Sequence, residues 1–270
     1  IVMSKSSVEL ARQIRVDVLK MVHRAKAAHV GSSLSSCDIL AALYSDILQV
    51  RPSEPKWADR DRLIYSKGHA AAALFAVLAE RGFFSKGWLD EYCSNGSPLM
   101  GHVSHHVPGV EFSTGSLGHG MPLGCGLALS FQRQKKSQRV FVIVSDGELD
   151  EGSNWEAILF AGHHRLDPLT MIVDYNKIQS FGSVQEVLEL DPLADKFRAF
   201  HWDVIEVDGH DHDQLQKALK QRSDKKPRAV IAHTIKGKGV SFMEGQLLWH
   251  YRSPSDDDLG KALAELGERA

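Results

Sequence analysis

Five short apolar runs, at 63–65, 140–144, 169–173, 204–207 and 229–232, show no polar alternation. Successive side chains of a strand point to opposite faces, so a strand that is apolar at every position must be covered on both sides. Helical patterns separate most of these runs. Over 8–27, Ala11, Ile14, Val18 and Met21 recur at helical spacing, and a second helix is expected over 38–48. Ser153-Asn154-Trp155-Glu156 reads as a capping box that opens a helix ending at Gly162. The last helix is expected to start at Ser255, with three aspartates in its first turn and a stripe of Leu259, Ala262, Leu263 and Leu266. Strands alternating with helices predict an α/β fold, doubly wound, with a mainly parallel sheet and helices on both faces. No repeat, low-complexity linker or composition shift divides the chain, which reads as one domain over 1–270.

Composition removes several function classes. With 32 basic and 34 acidic side chains, the net charge of −2 creates no field that would draw nucleic acid or anionic lipid. Cys37, Cys93 and Cys125 are odd in number and far apart, which suits a reducing compartment, and a cytoplasmic location is expected. No apolar stretch approaches the roughly eighteen residues of a membrane span. Ile1-Val2-Met3-Ser4 is too short for a signal sequence.

The residues that carry chemistry fall between the regular elements. Gly115-Ser116-Leu117-Gly118-His119-Gly120 leads into an apolar helix with Gly124 and Gly126. Such a segment can bring backbone N–H groups to an anion, or it can serve close helix packing. The run at 140–144 leads to Ser145-Asp146-Gly147-Glu148, and the run at 169–173 to Asp174-Tyr175-Asn176-Lys177-Ile178. Ligands of open α/β sheets collect at the carboxyl ends of strands. An acid and an amide there can converge on a hard cation such as Mg²⁺; equally, Asp146 can cap a helix and Asn176 can form a turn. Gly101-His102-Val103-Ser104-His105-His106 offers zinc as a rival ligand, without the usual zinc spacing. His163-His164, His23, His201 and His212 read as surface or helix-capping residues, and Phe83, Phe84 and Trp88 as core.

Asp146-Gly147, with Asn176 thirty residues later, resembles the thiamine-diphosphate fingerprint of the transketolase superfamily, and residues 147–157 resemble transketolase specifically. Ala28-His29-Val30-Gly31, Ser66-Lys67-Gly68-His69-Ala70, Gly101-His102, Ser113-Thr114-Gly115-Ser116-Leu117-Gly118, Ile235-Lys236-Gly237-Lys238-Gly239 and Trp249-His250 follow in the family's order. The resemblance implies a thiamine-diphosphate-binding fold. It implies that Asp146, Asn176 and the Ile178 carbonyl ligate Mg²⁺, or Ca²⁺ or Mn²⁺ in its place. Gly147, His69, Lys236, His250 and the Gly115-Ser116-Leu117 backbone are then expected around the cofactor. His29, His69, His102 and His250 match histidines that handle substrate hydroxyls and protons. Glu151 matches a glutamate at the subunit interface, and His119 lies where many relatives carry glutamine.

The pyrimidine-binding and C-terminal domains of a full transketolase have no counterpart here. The resemblance therefore implies the N-terminal subunit of a split enzyme. It is expected to work with a separate C-terminal subunit, in a heterotetramer, transferring a two-carbon ketol unit between sugar-like substrates. The alternatives are half of another thiamine-diphosphate enzyme, such as a 2-oxo-acid dehydrogenase or an acyloin-forming enzyme, and a non-catalytic binding module. Two positions depart from the family pattern, each replacing a glycine: Ser145 before Asp146, and Tyr251 after Trp249-His250. Tyr251 is expected at the cleft wall, acting on specificity or packing outward against the partner.

Overall fold

Every one of the five apolar runs is a strand. In the computed structural model, which describes residues 6–268, they are β1 (Arg62–Tyr65), β2 (Val140–Ser145), β3 (Leu169–Tyr175), β4 (Asp203–Asp208) and β5 (Arg228–His233). Ile1-Val2-Met3-Ser4 lies outside the described residues. The strands form one parallel sheet in the order β1-β2-β3-β5-β4. Around it lie α1 (Ser7–Ala25), α2 (Val30–Ser35), α3 (Cys37–Ala42), α4 (Ala71–Glu80), α5 (Gly120–Arg133), α6 (Gly152–His163), α7 (Val184–Val187), α8 (Leu193–Ala199), α9 (His212–Lys220) and α10 (Asp256–Glu265).

The apolar runs split between two cores. On β2, Phe141 and Ile143 pack with α1, α3, α4 and α9, while Val140, Val142 and Val144 pack with α5, α6 and α8. The chain steps outward from β2 to β3 and on to β4 by helices of the second core, then turns back to β5 through α9 on the first. A change of direction with a constant crossover hand requires that change of face. The strand β4 ends the sheet and is only partly covered.

Three local expectations are corrected. The segment 38–48 is not one helix: α3 ends at Ala42 and the chain continues as a π turn, Leu43–Ile47, which buries Leu43, Tyr44 and Ile47 together. Ser153 does not cap α6, because its hydroxyl donates instead to the Gly118 carbonyl at 2.7 Å. Gly162 does not stop α6, which runs on through His163. A Cβ at Gly162 would lie 1.8 Å from the Phe200 carbonyl oxygen, so the glycine serves close packing. The final helix follows expectation, with Ser255 Oγ accepting from the Asp258 N–H at 3.2 Å and Asp258 Oδ2 accepting from the Ser255 N–H at 2.9 Å.

Candidate active site

The carboxyl ends of β1, β2, β3 and β5 deliver their following turns to one cleft of about 430 Å³. It is lined by His29, His69, Gly115, Leu117, Asp146, Gly147, Glu151, Asn176, Ile178, Lys236 and His250, among others. Of the expected site residues, Ser116 and His102 are exposed and outside this lining. The His102 ring stands 6.1 Å from that of His29 at the rim.

Asp146 follows β2 and is 2 % exposed. Its Oδ1 accepts from the Gly147 N–H at 2.7 Å and its Oδ2 from the Lys177 N–H at 2.6 Å. The second bond ties it to the turn after β3, where Asn176 Oδ1 accepts from the Ile178 N–H at 3.1 Å. Ser145 needs no positive φ, and its hydroxyl accepts from the Glu148 N–H at 3.2 Å. Burial, and then the charge of Asp174, push the Asp146 carboxyl up to about 6. Among the described residues no cationic side chain pairs with it. A buried carboxylate together with an amide oxygen and a backbone carbonyl is a donor set that suits a hard divalent cation.

Lys236, from the loop after β5, is 1 % exposed. Its ammonium donates to the Ile178 carbonyl at 2.9 Å and lies 3.0 Å from His250 Nδ1. Burial lowers it to about 8, with Asp146 acting in the opposite direction. Lys236 is therefore mostly charged at neutral pH, so His250 Nδ1 accepts and its Nε2 carries the proton. Gly31 in α2 makes room for the lysine stem, since a Cβ there would meet Lys236 Cγ at 3.1 Å.

His29 adopts φ +70° before α2 and donates its N–H to the His250 carbonyl at 2.9 Å. The His29 ring centroid lies 5.3 Å from that of His69 and 5.0 Å from that of His250. Burial is the main cause lowering all three: His29 to about 4, His250 to about 3, and His69 well below the usual imidazole range. They are neutral at pH 7, able to donate from one nitrogen and accept at the other. Glu151 is exposed at the rim, preceding α6.

Two buried anchors under the cleft were not read from sequence. Lys67 and Asp174 are both fully buried and form an ion pair. Asp174 also accepts from Ser35 Oγ at 2.6 Å and from Thr234, while Lys67 donates to the Ser32 carbonyl at 2.9 Å. Glu148, equally buried, accepts from Ser66 and from the Gly118 N–H at 3.0 Å, fixing the glycine turn ahead of α5. At Gly118 the backbone has φ +83°, and a Cβ would fall 2.8 Å from Glu151 Cβ. The motif around Lys67 was visible; its partner, 107 residues away, was not.

The remaining histidines lie elsewhere. The His105 and His106 rings lie 4.2 Å apart, tilted by 37°, and line a separate cavity of about 940 Å³. Among the described residues no three His, Cys, Asp or Glu side chains come together as a metal site, so the zinc alternative finds no ligand set. His119 is exposed ahead of α5. His212 is not a free surface residue, because it is bound to Asp38 and Ser7 at the start of α9. Tyr251 is 56 % exposed; its hydroxyl donates to the Ser180 carbonyl, and its ring meets His250 edge-on at 4.9 Å. Among the described residues no helix is long and apolar enough to cross a membrane.

Residues 6–269 match the family described as transketolase, thiamine diphosphate binding domain. The chain is 42% identical over 270 residues to the 6-deoxy-6-sulfo-D-fructose transketolase subunit SqwG of a Clostridium species, covering 98% of both proteins. It is 40% identical over 257 residues to an apulose-4-phosphate transketolase subunit of Phocaeicola vulgatus, covering 94% of this chain and 92% of that one. The solved transketolase of Campylobacter jejuni superposes with a TM-score of 0.93 at 30% identity, over 99% of this chain. This chain spans only 44% of that protein's length.

Proposed function

The chain belongs to the transketolase family, and from that premise we propose that it is the diphosphate-binding subunit of a split transketolase. It transfers a two-carbon ketol unit from an anionic ketose donor to an aldehyde acceptor in the cytoplasm. The observation that carries the reading is that one cleft gathers the buried Asp146 carboxylate, with which no cationic side chain pairs among the described residues, with Asn176, the Ile178 turn and the buried Lys236 ammonium. One carboxylate, one amide and one carbonyl suit Mg²⁺, or Ca²⁺ or Mn²⁺, and an ammonium nearby suits a diphosphate. When bound, thiamine diphosphate supplies the nucleophilic carbon that carries the ketol unit, and the cation neutralises its diphosphate.

The chain's own residues do the rest. Asp146, held by two backbone N–H groups, and Asn176 present oxygens to the cation. Lys236 leaves its carbonyl partner to meet phosphate oxygens, and Gly147 and the Gly115-Ser116-Leu117 backbone allow close approach of the diphosphate. His250 offers an Nε2 proton to the cleft. His29, His69 and His102 orient hydroxyls and exchange protons with them, and nearby anionic groups raise imidazole pKa values. Glu151 meets the second subunit, which carries the pyrimidine and C-terminal domains in a heterotetramer. The two split relatives are named for a ketose phosphate and a sulfonated ketose. A donor with an anionic tail follows for this chain.

The test assembles the chain with Mg²⁺ and its partner subunit, then measures thiamine-diphosphate binding by calorimetry and ketol transfer from a panel of ketose donors. Binding and turnover in the assembly, with neither at comparable strength in the chain alone, are expected. Robust transfer by the chain alone would overturn the split-enzyme reading.

A further inference from the structure

A second charged cluster lies behind the Lys236 loop, away from the cleft. Asp38, in the first turn of α3, is 5 % exposed. Arg15 of α1 holds both its oxygens, at 3.0 and 2.5 Å. His210 Nδ1, from the turn after β4, lies 2.6 Å from Oδ2, and His212 Nε2, at the start of α9, lies 3.1 Å from Oδ1. Burial acts to raise this carboxyl, but the hydrogen bonds from His210 and His212 and the Arg15 charge hold it well below the usual carboxylate range.

The other nitrogen of His210 has a defined task. The Ile235 N–H donates to His210 Nε2 at 2.8 Å. A ring nitrogen that accepts carries no proton, so His210 is a neutral imidazole whose proton sits on Nδ1 and is donated to Asp38. Arg15 Nε meanwhile donates to the Lys238 carbonyl at 2.9 Å. The residue before Lys236 and the second residue after it are thus both tied to one carboxylate. These ties add to backbone bonds from the Gly237 N–H to the Gly31 carbonyl at 3.0 Å and from the Gly245 N–H to the Lys236 carbonyl at 2.9 Å, in a loop whose Gly237 and Gly239 have φ of +80° and +95°.

We propose that Asp38 is a positioning residue which, through His210 and Arg15, fixes the 235–238 loop so that the Lys236 side chain is directed into the cleft. The inference rests on the reading of Lys236 as a diphosphate ligand. It adds a support on the far side of the loop, built from α1, α3 and the β4–α9 turn.

Two substitutions of His210 separate its two bonds. His210→Asn places an amide nitrogen near the Nδ1 position, keeping Asp38 and losing Ile235. His210→Gln places an amide oxygen near the Nε2 position, keeping Ile235 and losing Asp38. Each is assembled with Mg²⁺ and the partner subunit, and three quantities are read: backbone amide exchange at 235–238, thiamine-diphosphate Kd by calorimetry, and Tm. Loss of one hydrogen bond is worth up to about tenfold. His210→Asn should speed exchange at Ile235 and weaken the cofactor by about that factor. His210→Gln should keep both near the parent while lowering Tm more, because it leaves a buried carboxylate short of a donor. Arg15→Lys, which keeps the charge but loses the Lys238 tie, should also weaken the cofactor and serves if His210→Asn does not fold. Equal losses in the Asn and Gln variants, in step with Tm, would overturn the proposal in favour of simple packing. Lys236→Met is the control. If it leaves Kd unchanged, the diphosphate reading of Lys236 fails and the proposal with it; if it weakens binding while His210→Asn does not, the positioning proposal alone fails.

Discussion

Replacing Asp174 by Asn removes one side of the most deeply buried charge pair in the molecule. Lys67 and Asp174 are both 0 % exposed. Asn can still accept from Ser35 or Thr234, but the Lys67 ammonium is then left with the Ser32 carbonyl at 2.9 Å and no directly bonded carboxylate. Breaking a buried pair from one side costs about 3–5 kcal/mol. For 270 residues, an unfolding entropy of about 2.1 cal/mol/K per residue makes each kcal/mol worth about 2 °C. Tm should therefore fall by about 5–10 °C. Replacing both residues, Lys67→Met with Asp174→Asn, should regain much of the loss, because neutral residues packed in place of a buried pair are often tolerated. Urea and thermal denaturation of the four proteins of the cycle give the coupling energy directly. A loss below about 1 kcal/mol for Asp174→Asn would place the pair with solvent-exposed ones and refute the reasoning.

Asp146→Asn should abolish Mg²⁺-dependent cofactor binding while leaving the cation-free protein at least as stable at pH 7. The folded carboxyl, raised to about 6, holds its proton more tightly than the unfolded chain does, so the parent gains stability as pH falls from about 6 to about 4, and the variant should not. Denaturation at both pH values checks this. His29 titrates in the other sense: its value near 4 lies below the unfolded 6.5 or so, and stability present above pH 6.5 is lost on acidification towards 4. His29→Asn, which tolerates the left-handed backbone there, should flatten that part of the pH–stability curve. Tyr251→Gly should leave cofactor Kd within a few fold and change the ratio of kcat/KM between ketose donors, a tenfold change being about 1.4 kcal/mol. Unchanged ratios with weakened assembly would assign Tyr251 to the subunit interface.

The central strands were legible because burial on both faces makes short runs apolar, even in the four residues of β1, while the equally apolar stretch 71–79 is told apart by its greater length. Part of the cleft was legible because Asp146 and Asn176 sit in the turns just after β2 and β3, while His29 and His250 come from other parts of the chain. What lay hidden were long-range choices. Ser153 has the local pattern of a cap, but a carbonyl 35 residues away takes its hydroxyl. His212 reads as a surface or helix-capping residue until the fold places it 3.1 Å from Asp38. A charged side chain is exposed by default, and only its partner, unseen in a single sequence, reverses that expectation.

The outer border of β4 has a consequence for how the protein behaves in a crowded solution. An unpaired strand edge offers a row of N–H and C=O groups to any extended peptide that meets it. Three of the six residues of this strand are acids, Asp203, Glu206 and Asp208. A second copy approaching in register brings the same negative charges against them, and repulsion grows as the strands close. Arg228 offsets Asp203 at 2.8 Å and Arg198 and His233 lie 3.9 and 3.1 Å from Glu206, leaving Asp208 at the end of the strand as the stronger deterrent. Neutral substitutions at these acids would leave the chemistry of the cleft untouched and lower the barrier to fibril-like stacking of one molecule on the next.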